Sequence, residues 1–283
     1  EKPLVPAEEM EDITRQLLAC GANIVEMNTI RKRLSGVKGG RFALCCAPAQ
    51  VHAVVLSDII GDPLDMIASG PAYPDASTCE QARAIAQRYG LRLSEQARAL
   101  LDRETPKELT NVDTQVTGSV RQLCRSAAAM CRELGYEPIV LTASLDCEAR
   151  EAGRFLAAVA RDHQASERSL AYLAGGETVV HLTGRGKGGR NQELALAAAP
   201  GLDGCRDTCL FSFGSDGSDG PTDAAGGYVD EKTAGTLEAA GVDINAVLRE
   251  NDAYHALQQC GGLIVTGPTG TNVNDLAVLL IKR

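Results

Sequence analysis

The sequence predicts an α/β protein made of two α/β/α three-layer domains, the second built on a mixed, mostly parallel sheet. Three observations carry that prediction. Apolar runs of strand length alternate with segments of helical periodicity, an order that sandwiches a mostly parallel sheet between helices. Twenty-nine glycines stand beside no tryptophan and four phenylalanines, the texture of many tight strand-to-helix turns over an aliphatic, alanine-based core. At 283 residues and 44% hydrophobic composition, the chain can fill one large or two ordinary domains.

Taken in order, residues 7 to 21 open after Pro6 and set Met10, Ile13, Leu17 and Leu18 on one helical stripe before Gly21. A second helix over about residues 23 to 34 buries Ile24, Met27, Ile30 and Leu34, with Asn28, Arg31, Lys32 and Ser35 on another face. Strands are expected at Phe42 to Cys46 and at His52 to Ser57, the latter running into the acidic loop Asp58 to Asp65. A capping box from Ser77 to Glu80 starts a helix that stops near Gly90. The charged, proline-containing run DRETPKELTNVDT puts the domain boundary near residue 106, giving domains 1–106 and 107–283. Beyond it come helix 119 to 134, strand Pro138 to Thr142, helix 147 to 163, and a hairpin over about 169 to 183 turned at Gly175-Gly176. Helix 190 to 199 and strands Thr208 to Phe213 and Leu263 to Val265 complete the pattern.

A net charge of -9 with dispersed Lys and Arg leaves no electrostatic footprint for nucleic acid or an anionic membrane, so local groups must capture any anionic substrate. Ten cysteines lie inside apolar segments such as Leu44-Cys45-Cys46-Ala47 without framework spacing, which reads as reduced thiols of a cytoplasmic protein. Four scattered histidines and the Cys205/Cys209 pair lack the spacing of a zinc site. No apolar run approaches the roughly 20 residues of a membrane span.

Chemistry concentrates in three glycine-rich loops. The first, Gly184 to Glu193 (GRGKGGRNQE), lies between a strand and an alanine-rich helix, where glycines free backbone N–H groups for an anion and the helix dipole adds its pull. Gly184, Gly186 and Gly189 also satisfy GxGxxG, the dinucleotide fingerprint, yet Arg190, Asn191 and Gln192 at the helix start suit a phosphate better than a close-packed dinucleotide turn. A guanidinium there can offset charge on a transferred phosphoryl group; a solvated basic turn is the plain alternative. The second loop, GSDGSDGPTDAAGG, offers Asp216 and Asp219 as Mg²⁺ ligands that leave room for nucleotide phosphates, or simply forms an Asp/Gly surface turn. The third, Thr266 to Asn272, has hydroxyls and amides for phosphate or ribose oxygens. Converging at one sheet edge, the loops nominate Gly175, Gly176, Glu177, Gly188, Gly189, Asn191, Ser215, Thr269, Thr271 and Asn272 for nucleotide binding. No Walker A sequence occurs. In the first domain, Asp62 is the candidate base for a hydroxyl proton, unless Asp62-Pro63 merely forms a turn, and Arg31, Lys38 and Asp58 are candidates for holding a hydroxy acid.

The stretches NTIRKRLSGVKGGRFA, VVLSDIIGDPLDMIASGP, GGETVVHLTGRGKGGRNQELALA, FSFGSDGSDGPTDAAGGYVD and GGLIVTGPTGTNVNDL cover the chain almost end to end. In them it resembles the glycerate 2-kinases, whose C-terminal part is called the MOFRL domain, here about residues 170–278. The resemblance implies a two-domain α/β enzyme that converts D-glycerate to 2-phosphoglycerate with ATP and a divalent metal, Mg²⁺ being the expected ion. Arg190 matches the family's proposed catalytic arginine. Family members carry further residues before the position matching Glu1, including a lysine proposed for catalysis and a glycine- and serine-rich loop, so the chain resembles an N-terminally shortened member. The expected partners are a small hydroxy acid and a nucleotide, with a homodimer allowed. Some members bear the name hydroxypyruvate reductase, and an NAD(P)-dependent reductase is the competing reading of the same GxGxxG.

Overall fold

The computed structural model describes residues 2–283, and the chain divides into two compact units. The first contains the residues up to Val55 together with Asp62–Thr117; the second contains Leu56–Gly61 and Gly118–Arg283.

The first unit packs α1 (Ala7–Ala19), α2 (Ile24–Arg33), α4 (Cys79–Arg88) and α5 (Glu95–Leu101) around Ile13, Leu17, Ile30, Leu34, Ala82 and Leu101. Asn23 starts α2 with a capping box, its side chain accepting from the Glu26 amide while Glu26 accepts from the Asn23 amide. Ile24, expected in the buried stripe, is instead 58% exposed, because the stripe begins one turn later at Met27. The α4 capping box is Thr78/Gln81, not Ser77/Glu80. Ser77 is unavailable as a cap because its hydroxyl accepts from Arg33 Nη1 at 2.9 Å and donates to Asp75 at 2.9 Å.

The apolar run at residues 42–46 forms a short helix, α3 (Arg41–Cys46), rather than a strand; over so few residues periodicity does not separate the two. Only β1 (Val51–Leu56) and β2 (Val112–Gly118) pair outside the large sheet, so the described residues of this unit form a helical cluster beside a two-stranded ribbon, without the expected sandwich.

The second unit does form three layers. Its strands β3 (Glu137–Leu145), β4 (Leu170–Gly176), β5 (Thr208–Gly214), β6 (Gly226–Asp230), β7 (Leu263–Ile264) and β8 (Asp275–Ile281) assemble in the order β3-β4-β8-β5-β6-β7. The sheet is mixed, as expected, but only β3 and β4 run parallel, and the other four pairings are antiparallel. The reason is β8, which slots between β4 and β5 and runs against both. On one face α6 (Val120–Glu133) covers Ala171, Leu173, Leu276 and Val278. On the other, α7 (Ala149–Asp162) and α8 (Arg190–Leu202) cover Leu170, Tyr172, Ala277 and Leu279. Alternate residues of β4 thus face opposite helix layers, as the strand period of two demands.

No hairpin turns at Gly175-Gly176: β4 ends there with β3 and β8 as its neighbours. A Cβ on Gly176 would lie 2.1 Å from the Leu145 carbonyl oxygen, and one on Gly175 would lie 2.5 Å from Cys124 Sγ. Both glycines therefore serve close packing. After β6 come α9 (Thr233–Ala239), α10 (Ile244–Arg249) and α11 (Ala253–Gln259).

Helices α7 and α8 approach closely at Gly153, where an added Cβ would sit 2.1 Å from the Leu194 carbonyl oxygen. Backbone cannot yield as a side chain does, so Gly153→Ala is expected to cost about 2 kcal/mol of unfolding free energy by forcing the helices apart. Urea denaturation checks this; an unchanged midpoint would show that the helices slide without cost. No helix among the described residues is long and apolar enough to cross a membrane.

Candidate functional site

The glycine-rich loop between β4 and α8 is held by the turn between α10 and α11. Asn251, 5% exposed with φ of +55°, accepts from the Thr183 and Gly184 amides at 2.7 and 2.9 Å and donates to the His181 carbonyl at 3.1 Å. The Glu250 carbonyl takes the Gly186 amide at 2.8 Å, and Asp252 Oδ1 takes that of Lys187 at 2.8 Å. Gly184 and Gly186 have no room for a side chain, since a Cβ would come within 2.3 and 2.4 Å of Glu250 and Asp252. These glycines are thus required by protein packing. Among the described residues, the amides of Gly188, Gly189 and Arg190 donate to no protein group. They stand at the N-terminus of the 13-residue helix α8, where the aligned peptide dipoles favour an anion.

Arg190 opens that helix. Its Nε and Nη2 fork onto Asp275 at 2.5 and 3.1 Å, and Nη1 donates to Glu177 at 2.8 Å. Burial is the largest influence and works against this guanidinium's charge, but the bond to Asp275 together with the negative charges of Asp275, Glu177 and Asp219 outweighs it and raises the pKa, so Arg190 is a fixed cation. Asp275 opens β8 and is 7% exposed; burial pushes its carboxyl up and Arg190 pulls it down. The Glu177 pair is more open, with side chains 35% and 46% exposed, and so is the weaker of the two partners.

A cavity of about 910 Å³ lies over these groups, lined by Glu177 to Val180, Gly188 to Arg190, and Asp216 to Asp219 with Gly217 excepted. Asp216 is half-buried and accepts from Ser218 N and Oγ at 2.9 and 3.0 Å. Asp219, nominated with it for a metal, has another task. It is 3% exposed, and its two oxygens accept from the amides and side chains of both Asn191 and Gln192 at 2.9 to 3.2 Å, capping α8 from a neighbouring loop. A Cβ on Gly189 would collide with this carboxylate at 2.2 Å.

Burial drives the Asp219 pKa up to about 6, against the pull of the Gln192 and Asn191 donors. The folded state therefore binds this proton more tightly than the unfolded chain, and its contribution to stability falls as pH rises from about 4 to about 6. Asp219→Asn is expected to flatten that part of the stability profile while lowering stability throughout, because an amide presents hydrogens to donors. Urea midpoints from pH 4 to pH 7 test it; parallel profiles for parent and variant would reject the assignment.

Of the other nominated residues, Asn191 is buried with its Oδ1 accepting from Ser212 at 2.5 Å. Ser215 Oγ accepts from the Val273 amide at 2.8 Å, and Thr269 donates to the Ser215 carbonyl at 2.6 Å, with the Thr271 carbonyl 3.2 Å from the same hydroxyl oxygen. Asn272 accepts from the Asn274 amide at 3.1 Å. The third loop thus braces the second and does not line the cavity. Asp58 is exposed, and its carbonyl accepts from Asn274 Nδ2 at 2.9 Å.

The remaining nominees, Arg31, Lys38 and Asp62, belong to the first unit. Lys38 Nζ donates to the Ala68 carbonyl at 3.3 Å, Arg31 is half-buried on α2, and Asp62 takes φ of +55° with a buried Oδ1 that meets no donor. Their neighbour Lys32, expected on a polar face, is 2% exposed between Asp65 and Asp75, each at 3.0 Å.

Residues the sequence reading passed over include Asn251, Asp252 and Asp275. In the tripeptide Asn274-Asp275-Leu276, an acid directly before an apolar strand is the available signal.

Residues 170–275 match the MOFRL family, and residues 1–102 match a domain of unknown function, DUF4147. The D-glycerate 2-kinase of Thermotoga maritima is 52% identical over 287 residues, covering 99% of this chain and 69% of that protein. The glycerate 2-kinase of Pyrococcus horikoshii is 37% identical, with 98% and 66% covered. The chain thus spans about two thirds of the length of these relatives. A crystal structure of glycerate kinase from Thermotoga maritima superposes with a TM-score of 0.95 over 99% of this chain and 69% of that one. With identity of this level sustained along the whole chain, and with the glycine-rich loop, Arg190 and Asp216 gathered at one cavity, the chain belongs to the glycerate 2-kinase family.

Proposed function

We propose that this protein transfers the terminal phosphoryl group of ATP to the 2-hydroxyl of D-glycerate, giving 2-phosphoglycerate and ADP. The observation that carries the reading is the fixed Arg190 guanidinium beside the unpaired amides of Gly188, Gly189 and Arg190, at the start of a helix and facing a cavity. The name of the Thermotoga relative, identical at 52% of positions, supports it. In phosphoryl transfer the hydroxyl oxygen bonds to phosphorus and releases its proton as the bridging bond to ADP breaks, and negative charge spreads over the transferred group. The three amides and the helix terminus hold a phosphate without needing a P-loop, and Arg190 offsets the added charge on the side away from Asp275. An arriving phosphate displaces the exposed Glu177 partner and leaves the Asp275 fork in place.

Mg²⁺ fits the donor set: it takes one or two carboxylates and completes its shell with water and phosphate oxygens. Asp216 is the carboxylate suited to it, Asp219 being engaged in capping, and when bound the ion would neutralise nucleotide phosphate charge. We place the reaction in the cytoplasm.

A coupled assay of ADP release tests the proposal. Release should depend on D-glycerate and ATP together. Oxidation of NADPH by hydroxypyruvate with no response to ATP would overturn it in favour of a reductase.

A further inference from the structure

Beyond the phosphate-binding end, the same cavity has a second and chemically different wall. After β4 the chain runs as an extended, irregular segment from Glu177 to Thr183 outside the sheet. Val179 and Leu182 on this segment are 48% and 82% exposed, and both line the cavity with the half-buried Val180. Single exposed aliphatics are ordinary, but two on one cavity wall beside an anion site call for a reason. Thr178, next to them on the lining, is 4% exposed, and its hydroxyl meets no partner. Such a buried polar group costs free energy unless something completes it.

The backbone shows the same shortfall. Among the described residues, the amides of Val180, His181 and Leu182 and the carbonyls of Val180 and Leu182 are unpaired. The segment is fixed at both ends nevertheless. Val179 exchanges bonds with Cys147 and Ala149, and Asn251 holds the His181 carbonyl and the Thr183 amide.

We propose that the segment Thr178–Leu182 is the nucleobase subsite, with Val179 and Leu182 covering the face of a purine and unpaired backbone groups of Val180 and Leu182 reading its edge. An apolar surface with a few convergent donors and acceptors is what a flat heteroaromatic ligand needs. The edge of adenine carries an acceptor nitrogen beside an amino donor, which a backbone amide and carbonyl of an extended segment complement. The proposal rests on the kinase reading, because it is the phosphates at Gly188–Arg190 that bring the base to this wall.

The test compares ATP with inorganic tripolyphosphate, which shares the phosphate chain and lacks the base. Leu182→Asp alters a largely exposed side chain, so the fold should persist, with an unchanged circular dichroism spectrum as control. Calorimetric titration of parent and variant, with Mg²⁺ in both, should show ATP affinity falling tenfold or more and tripolyphosphate affinity changing by less than about twofold. Thr178→Val, which keeps the shape and removes the hydroxyl, should weaken ATP alone as well. Equal ATP affinity in parent and Leu182→Asp would overturn the base subsite and leave the kinase reading standing. If the parent bound neither ATP nor tripolyphosphate, the phosphate site itself would fail, and the subsite with it.

Discussion

Replacing Arg190 with lysine is expected to lower the rate constant for ADP release by roughly a hundredfold to a thousandfold, about 3 to 4 kcal/mol of transition-state stabilisation, with little change in melting temperature. The reasoning starts from Asp275, which takes Nε and Nη2 of the guanidinium and leaves Nη1 directed elsewhere. An ammonium group has no such fork: bound to Asp275 it stays at the carboxylate, and directed at phosphate it leaves that carboxylate buried and unpaired. Because the charge is kept, the loss reports geometry. It should therefore fall on the rate constant, with ATP affinity changed much less. Steady-state kinetics decide the matter; a rate constant within about threefold of the parent would remove Arg190 from the charge-stabilising role.

The second large effect concerns a residue that touches no phosphate. Asn251→Ala should lower unfolding free energy by about 3 kcal/mol and release the glycine-rich loop. The substitution strands the Thr183 and Gly184 amides and the His181 carbonyl, each lost part-buried hydrogen bond costing about 1 kcal/mol, and it puts alanine at a φ of +55° that asparagine tolerates better. Asn251 also donates to the Glu193 carboxylate at 3.4 Å, which Arg150 contacts from the other side. Hydrogen exchange gives the local readout: the Thr183 and Gly184 amides should lose protection well before the strands do. Retained protection at both would show that the loop is held by the Gly186 and Lys187 bonds alone.

The parts of the molecule that the sequence made legible are those set by short-range rules. Helical periodicity located α1, α6 and α7, and the glycine-rich run before an alanine-rich helix located the anion site and Arg190. Sheet order was out of reach, because nothing within β8 states that it will lie between β4 and β5. Glycine serves separate purposes that composition does not distinguish. An added Cβ on Gly188 would meet its nearest neighbour only at 3.3 Å, whereas Gly175, Gly176, Gly184, Gly186 and Gly189 are glycine because other protein atoms occupy the space of a Cβ. Carboxylates raised the same difficulty: Asp216 faces the cavity and Asp219 caps a helix, three residues apart in one acidic loop. Which aspartate meets a ligand depends on which one the protein has already used, and that follows from α8, a distant part of the sequence.

The position of β8 also bears on how the protein is made. During synthesis β3 to β7 leave the ribosome before β8, so β4 and β5 wait with one edge each unpaired. Exposed edges of this kind recruit other chains, and slow, non-local pairing prolongs the exposure. Nascent chains halted before Asp275 should therefore depend on chaperones to stay apart. Those same chains lack the carboxylate that orients Arg190, so the guanidinium takes its fixed direction only when the sheet closes.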